Sequence, residues 1–353
     1  MSTVVACILF LGVIVYAIFG GADFGAGIWD LLAGGTRRGR KPRQVIDRSI
    51  GPVWEANHVW LIFVFVVLWT AFPAAYASIT LTLFVPLALA ALGIVLRGAS
   101  FAFRHAVYKT EEQRVYGAFF AFGSLLVPFA FGCVAGAIAT GRVPAGGRAG
   151  DPWGSWVNPT SLLGGVLAVV AVSYLSSVFL LFDAGRVADD EMVEYFRRRA
   201  VIAAVVAGVV ALAGIAILHA DATYLFDELT SRALPLVLVS AIGGIASLVL
   251  LLREEHRFAR VAAVGAVGGI LAAWGVAQWP YIVPTDMTVK ATAAPSGTLT
   301  ATVVVFLVAC VTIVPSIGLL YWLDQQDVLP EEGGDDGIEL DVAPGAEPGM
   351  NRG

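Results

Sequence analysis

The sequence predicts an all-α integral membrane protein, and its composition, its apolar runs and its basic residues all favour this fold class. Of the 353 residues, 58% are hydrophobic and 14% are charged, whereas soluble domains carry roughly 25% charged residues. Apolar runs of about 18 residues or more recur along the chain, which is the length that a helix needs to cross a bilayer. Backbone groups in lipid must be satisfied within the segment, so we expect helices rather than strands.

About nine transmembrane helices are expected in residues 1–325, which form a polytopic membrane domain. Their approximate ranges are 4–33, 50–71, 75–96, 116–140, 160–183, 201–219, 233–252, 261–283 and 299–323. Residues 326–353 form an acidic tail that we expect to be disordered, because it is rich in Glu, Asp, Gly and Pro. The first apolar run lacks a basic flank and a clear cleavage site, so we expect it to be retained.

The basic residues predict the orientation. Seventeen of the 22 Lys and Arg residues fall in the first, third, fifth and seventh connections, and four fall in the connections between these. Because basic residues accumulate in cytoplasmic loops, the N-terminus is expected outside and the C-terminus in the cytoplasm. The strict alternation also favours an odd number of spans. We refer to the side that holds the 17 basic residues as the basic side.

Two carboxylates interrupt the apolar spans. Asp23 lies in the first span, and Glu55 opens the second span together with Asn57 and His58. An ionisable group in a membrane helix is costly, so it usually has a partner and a function. The predicted orientation places both carboxylates toward the basic side, where Arg97 ends the third span. We therefore expect these polar groups to lie at similar depths in neighbouring helices.

The spacing of Glu55 and His58 leaves three interpretations open. Residues at i and i+3 share a helix face, so the pair suits a proton- or quinone-linked role, or a polar pair that stabilises a helix interface. A Glu-x-x-His step also occurs in di-iron sites, but these need a second copy and further Glu residues. Only one copy is present, so no metal site is expected. The three Cys residues are interpreted as packing residues.

The other sequence signals narrow the chemistry that this chain can perform by itself. Haem iron is held by His, Met or Cys, and no two of the four His residues are expected to face each other at mid-membrane depth. The sequence has neither a phosphate-binding Gly-rich loop nor a dinucleotide fingerprint. We therefore expect no cofactor bound by this chain alone and no catalytic residue in it.

Three stretches of this sequence resemble subunit II of the cytochrome bd-type quinol oxidases. They are Gly21–Gly27, Ser49–Leu61 and Arg97–Arg104, and the second, which contains Trp54-Glu55-Ala56-Asn57-His58, is the most specific. Weaker similarity occurs at Pro280–Pro284 and Thr298–Thr300. The resemblance extends along essentially the whole chain, although the second half matches mainly in its pattern of spans.

The resemblance implies two helix bundles plus a peripheral helix, in a multi-pass protein of a bacterial cytoplasmic membrane. It implies a heterodimer with a haem-bearing subunit I, which carries haems b and d or variants of them, and in some members a small single-helix accessory subunit. The complex oxidises quinol and reduces O₂ to water, and some members of the family hold a quinone in subunit II. The expected partners are therefore these subunits, the lipid bilayer and quinone, with no nucleic acid.

The resemblance also implies roles for individual residues. Glu55 occupies the position of a proposed proton-path acid, and Asp23 and Arg97 match further polar positions; together with His58, they are predicted to handle protons or to form a polar interface with subunit I. Trp54 and Asn57 belong to the same motif. This sequence departs from the family within the motif at Glu55, where Asp is usual, at Ala56, where Gly is usual, and at His58, where Glu or Gln is usual. It also has Lys290-Ala291 where Trp-Asp is common. These departures indicate a divergent branch.

Two other functions compete with this interpretation. A proton-coupled secondary transporter would have a midplane site between repeats and broken helices, but the charges here lie away from the midplane. A purely structural scaffold predicts that Glu55→Gln and Asp23→Asn leave turnover intact once the complex has assembled.

Overall fold

The computed structural model describes the backbone of residues 1–35, 38–50, 54–106, 110–186 and 189–325, and all statements below concern these residues. The side chains of residues 104–106, 110–114, 321, 324 and 325 are outside the description. The predicted tail, residues 51–53 of the most specific motif, and the side chains of Arg104 and His105 therefore lie outside the described part of the chain.

The described chain is almost entirely helical, in agreement with the predicted fold class. Its elements in order are α1 (Ser2–Leu31), α2 (Arg40–Ile50), α3 (Trp54–Ala71), α4 (Pro73–Thr82), α5 (Phe84–Ala106), α6 (Thr110–Ala139), α7 (Pro159–Arg186), α8 (Asp190–Asp221), α9 (Thr223–Thr230), α10 (Leu234–Leu252), α11 (His256–Gln278), β1 (Tyr281–Val283), β2 (Met287–Thr288) and α12 (Ser296–Gln325).

Nine helices of the described chain are long and apolar enough to cross a membrane, which confirms the predicted number. They are α1, α3, α5, α6, α7, α8, α10, α11 and α12. The remaining helices, α2, α4 and α9, have 11 residues or fewer.

The spanning helices pack as two groups that meet where α1 and α6 pack against α7. Helices α3 and α6 pack against α1, and α5 packs against α6. Helices α8 and α11 pack against α7, and α10 packs against α11. Helix α1 also packs against α7, whereas α12 contacts α3 and α1 from the edge. This arrangement agrees with two helix bundles plus a peripheral helix.

Prolines explain two of the differences from the predicted spans. The third span was expected from residue 75, but α5 begins at Phe84. Pro86 cannot donate a backbone hydrogen bond and its ring clashes with the carbonyl four residues earlier, so the helix is interrupted at Leu83. The eighth span was expected to reach residue 283, but α11 ends at Gln278. Pro280 follows, and the chain then enters the short antiparallel pair of β1 and β2.

On the basic side, two segments extend beyond the apolar spans. Helix α2 is amphipathic, with Pro42, Ile46 and Ile50 buried and basic residues on its outer face. Helix α8 begins 11 residues before the predicted span, and its charged first turns are capped by the Asp189 side chain, which accepts a hydrogen bond from the Met192 backbone nitrogen. Both segments place charged side chains beside the ends of the membrane helices.

Candidate functional site

Asp23 lies in a segment of α1 that is buried on all sides. Residues 20–30 of α1 are all buried, and Asp23 itself is only 5% exposed. Two glycines in this segment allow neighbouring helices to approach closely. A Cβ atom at Gly25 would overlap the carbonyl of Val172 in α7, and one at Gly27 would overlap the Ser124 side chain in α6. Small residues in α1 therefore permit the packing that buries the carboxylate.

Asp23, Asn57 and Arg97 meet inside the first bundle. The Asn57 amide nitrogen donates a hydrogen bond to a carboxylate oxygen of Asp23 over 2.8 Å. The Arg97 guanidinium donates to the main-chain carbonyl of Asp23 over 3.0 Å. All three residues are buried, and buried charges persist only where opposite charges and hydrogen bonds compensate them. We call Asp23, Asn57, His58 and Arg97 the polar cluster.

Three further residues hold the Arg97 side chain in place. Its Nε atom donates to the Ser124 hydroxyl over 3.2 Å, and its Cζ atom lies 5.0 Å from the ring centroids of both Phe24 and Phe120. Aromatic faces attract a guanidinium cation within about 6 Å. Sequence analysis missed these residues: Phe24 adjoins Asp23, but nothing distinguishes Ser124 or Phe120 from the rest of the apolar α6.

His58 is held by its own helix and by aromatic rings. Its Nδ1 atom lies 2.8 Å from the Trp54 carbonyl, and because a carbonyl can only accept, Nδ1 carries the hydrogen in this arrangement. The rings of Tyr16, Phe24 and Trp54 lie 5.6–6.1 Å from the imidazole centroid. Trp54 also packs against Phe101 of α5. The second motif thus joins α3 to α1 and α5.

The described residues offer few ligands for a metal or a haem. No group of three or more His, Cys, Asp or Glu side chains able to hold a metal ion occurs in the described residues. His58 is the one potential axial haem ligand in the polar cluster, and the rings of Tyr16, Phe24 and Trp54 pack around its imidazole.

Glu55 lies apart from the polar cluster. Its side chain is exposed, whereas Asn57, two residues later, is buried against Asp23. Glu55 begins a stripe of exposed residues along the outer face of α3, which continues with Val59, Ile62, Val66 and Trp69. The structure therefore brings four of the six predicted site residues together, packs Trp54 beside them and leaves Glu55 on the opposite face of the helix.

A cavity of about 70 Å³ connects the polar cluster with the basic side. Its inner wall includes Asp23 and Asn57, and its outer wall includes charged side chains at the ends of α7 and α11. The remaining lining comes from helices on both sides of α1. The lining residues are Phe19, Ala22, Asp23, Ala26, Ser49, Ile50, Asn57, Ser176, Phe179, Leu180, Asp183, Arg186 and Arg260.

The cavity is large enough and polar enough to hold water. Roughly 10–15 Å³ of such space is enough for one water molecule, provided that polar groups are available to bind it. Asp23 lies eight residues before the end of α1, which corresponds to a depth of roughly 12 Å at 1.5 Å per residue. Water in this cavity can therefore reach a carboxylate well below the helix ends.

These features define an integral membrane protein that has nine candidate spans among the described residues, a buried polar cluster and an ionisable residue on an outer helix face. Residues 1–324 match the family model described as cytochrome bd terminal oxidase subunit II. The chain belongs to this family, as its motifs predicted.

Individual relatives agree with this assignment. The chain is 30% identical to cytochrome bd ubiquinol oxidase subunit 2 of Bacillus subtilis over 46% of this chain and 47% of that protein. It is 23% identical to a putative cytochrome bd menaquinol oxidase subunit II of the same organism, over 88% of this chain and 91% of the relative. The first of these matches spans about half the length of the relative.

A solved structure shares the fold. A chain of the bd oxidase from Geobacillus thermodenitrificans superimposes with a TM-score of 0.74, covering 91% of this chain and 98% of that chain at 23% sequence identity. The nine-span arrangement is therefore a known one.

Proposed function

We propose that this chain is the haem-free subunit II of a quinol-oxidising terminal oxidase, in which a haem-bearing subunit I reduces O₂ to water. Family membership over residues 1–324 supports this assignment. The two Bacillus subtilis relatives are named for different quinols, ubiquinol and menaquinol. We therefore propose a quinol as the substrate class and do not assign one particular quinol.

The outer face of α3 is the proposed docking surface for subunit I. The observation that carries this proposal is an exposed carboxylate, Glu55, at the head of an otherwise apolar stripe. A charged side chain at the centre of a lipid-facing helix costs roughly 2.5–3.5 kcal/mol even by the lower scales, and Glu55, in the first turn of α3, bears a part of this cost. A protein partner that covers this face relieves the cost by supplying polar groups or enclosed water. The exposed apolar face of α10, Leu234–Leu252, contains no such carboxylate, which suits lipid.

Within this interface, Glu55 is proposed to pass protons from the cytoplasm toward the oxygen site of subunit I. Its position in the first turn of α3 lies on the basic side, which the distribution of Lys and Arg favours as cytoplasmic. The polar cluster has a supporting role in the proposal, because Asp23, Asn57 and Arg97 fix the inner face of α3 and thereby the direction in which Glu55 points. The cavity provides space for water beside Asp23 on the same side.

The substitution Glu55→Gln in the purified two-subunit complex tests the proposal. The amide keeps the size of the side chain but cannot carry a proton at neutral pH. We expect normal subunit stoichiometry and haem content, with quinol-driven O₂ uptake reduced by roughly tenfold or more, since a positioned proton donor contributes at least that much. Glu255→Gln is the matched control, because Glu255 is an exposed carboxylate on the basic side at the start of α11.

The outcome separates the proposal from its rivals. Unchanged turnover and proton uptake in Glu55→Gln would reject the proton role and favour a structural scaffold. Purification of the wild-type chain without a haem-bearing partner, with substrate transport driven by a proton gradient, would reject the oxidase assignment and favour a secondary transporter.

A further inference from the structure

A second charged site lies where α1, α2 and α8 meet on the basic side. The Arg199 guanidinium of α8 covers the ring of Tyr195, with Cζ 3.3 Å from the ring centroid, and lies 5.9 Å from the ring of Trp29 in α1. Arg43 of α2 is close by and forms an ion pair with Asp30. We call Arg199, Tyr195, Trp29 and Arg43 the Arg199 crevice.

Arg199 differs from the neighbouring cations in its partners. Lys41, Arg43, Arg197 and Arg198 each form an ion pair with a carboxylate. Arg199 has no carboxylate partner among the described residues and donates one hydrogen bond, from Nη1 to the Tyr195 carbonyl. The crevice therefore has an uncompensated positive charge.

The Arg199 guanidinium and the Tyr195 hydroxyl have only each other as side-chain hydrogen-bond partners among the described residues. They interact with each other, and neither the Arg199 Nε atom nor the hydroxyl forms a further hydrogen bond within the described chain. The guanidinium has five N–H donors, of which the Tyr195 carbonyl accepts one. A ligand with several acceptor oxygens is the chemistry that satisfies the remaining donors.

The depth of Arg199 in the membrane points to the source of such a ligand. Arg199 is the last charged residue before an uninterrupted apolar run from Ala200 to Leu218, so it lies at the boundary between headgroups and hydrocarbon. Ile202 and Val206, which follow at i+3 and i+7 on the same helix face, are 61% and 42% exposed. They form an apolar path for an acyl chain directly below the cation.

We propose that the Arg199 crevice binds the phosphate of an anionic phospholipid from the leaflet on the basic side. The planar guanidinium presents parallel N–H donors that match phosphate oxygens, and the Tyr195 hydroxyl supplies a second donor. The exposed basic face of α2, which includes Arg40 and Lys41, disfavours the cationic headgroup of a zwitterionic lipid and attracts an anionic one. This site lies outside the polar cluster and does not depend on the proposed redox role.

Native mass spectrometry of the delipidated oxidase complex, titrated with phosphatidylglycerol, tests the site. Arg199→Gln is expected to weaken lipid binding about tenfold, the value of one charge-assisted hydrogen bond. Tyr195→Phe removes only the hydroxyl and is expected to weaken binding about two- to threefold. Arg198→Gln is the matched control, because Arg198 is the adjacent residue, has the same charge and is mostly exposed beside Glu194; binding should change less than about twofold.

Each comparison supports or overturns the proposal. Equal losses in Arg199→Gln and Arg198→Gln would indicate diffuse charge attraction and would overturn a specific site. If Arg199→Gln does not assemble, Tyr195→Phe decides, and unchanged binding in that variant overturns the proposal. Phosphatidylcholine has the same phosphate beside a cationic group and should bind more weakly than phosphatidylglycerol to the wild-type complex; equal binding of the two lipids would overturn the preference for an anionic lipid. Inorganic phosphate is titrated in parallel. If Arg199→Gln weakens the binding of inorganic phosphate but not that of the lipid, the crevice is a site for a free anion and the lipid proposal is overturned.

Discussion

The two faces of α3 carry polar residues for different purposes. The inner face places Asn57 against Asp23, in a network that Arg97, Ser124 and two aromatic rings complete. The outer face places Glu55 at the head of an exposed apolar stripe. Only one residue separates Glu55 from Asn57, yet the first is exposed and the second is 4% exposed.

The two faces of α3 therefore have different roles: the inner face stabilises the subunit, and the outer face meets whatever surrounds the subunit. The inner groups are compensated within the chain, so removing one of them leaves another buried and unpaired. The outer carboxylate has no such neighbour in the described chain, so its removal changes what a partner meets and leaves the subunit core intact. Substitutions on the inner face should therefore act on stability, and those on the outer face should act on turnover or association.

The largest effect is expected from Arg97→Leu. The substitution removes the cation beside Asp23 and leaves the buried carboxylate with the Asn57 amide. Breaking a buried pair in this way typically costs about 3–5 kcal/mol, so we expect a large loss of complex yield and of thermal stability. Thermal denaturation of the purified complex in detergent measures the effect, with Arg257→Leu, an exposed arginine of α11, as the control.

A double substitution makes this prediction more specific. If the penalty comes from an unpaired carboxylate, Arg97→Leu combined with Asp23→Asn should be more stable than Arg97→Leu alone, by about 0.5–3 kcal/mol. A double variant that is no more stable than the single one would mean that Arg97 acts through packing against Phe24 and Phe120 only.

A smaller effect is expected from Asn57→Ala. This change removes the hydrogen bond to Asp23 and leaves a carboxylate oxygen unpaired, which costs about 1–3 kcal/mol. The melting temperature of the complex should fall, and haem content per assembled complex should stay normal. Gln44→Ala removes an exposed amide from α2 and should change stability by less than about 0.5 kcal/mol. Equal effects of the two substitutions would mean that the hydrogen bond between Asn57 and Asp23 contributes no measurable stability.

Much of the fold followed from the sequence because membrane helices have a length and composition that few other segments share. The nine spans, the family and the grouping of Asp23, Asn57 and Arg97 on the basic side were predictable from apolar runs, basic loops and motifs. The break before α5 was less visible, although Pro86 was the available signal. The end of α11 before Pro280 had a similar local cause.

The parts that could not be predicted depend on contacts between helices far apart in sequence. Nothing in the apolar α6 marks Ser124 and Phe120 as the residues that hold Arg97, because their role arises from packing across 23–27 positions of sequence. The same holds for Arg260, which was expected in a cytoplasmic connection. It lies in α11 with its guanidinium over Phe179 and Phe182 of α7, where it lines the cavity.

The smallest effect tests whether the outer face of α3 meets a protein or lipid. Ile62 on this face and Ile242 on α10 are the same residue type and are 64% and 66% exposed. If subunit I covers α3, Ile62→Ala removes packing at the interface and weakens the complex by about 0.5–1.5 kcal/mol, since membrane helices associate largely through van der Waals packing. Ile242→Ala exchanges one lipid contact for another and should have no effect.

Dissociation of the two subunits with increasing detergent measures this difference. A selective loss in Ile62→Ala would mean that Glu55, one and a half to two turns away on the same stripe, is enclosed between proteins, where a carboxylate can exchange protons with a partner. No effect in either variant would place lipid against α3. Glu55 would then have to be neutral or reach the headgroups, and a proton route through this face would lose its physical basis.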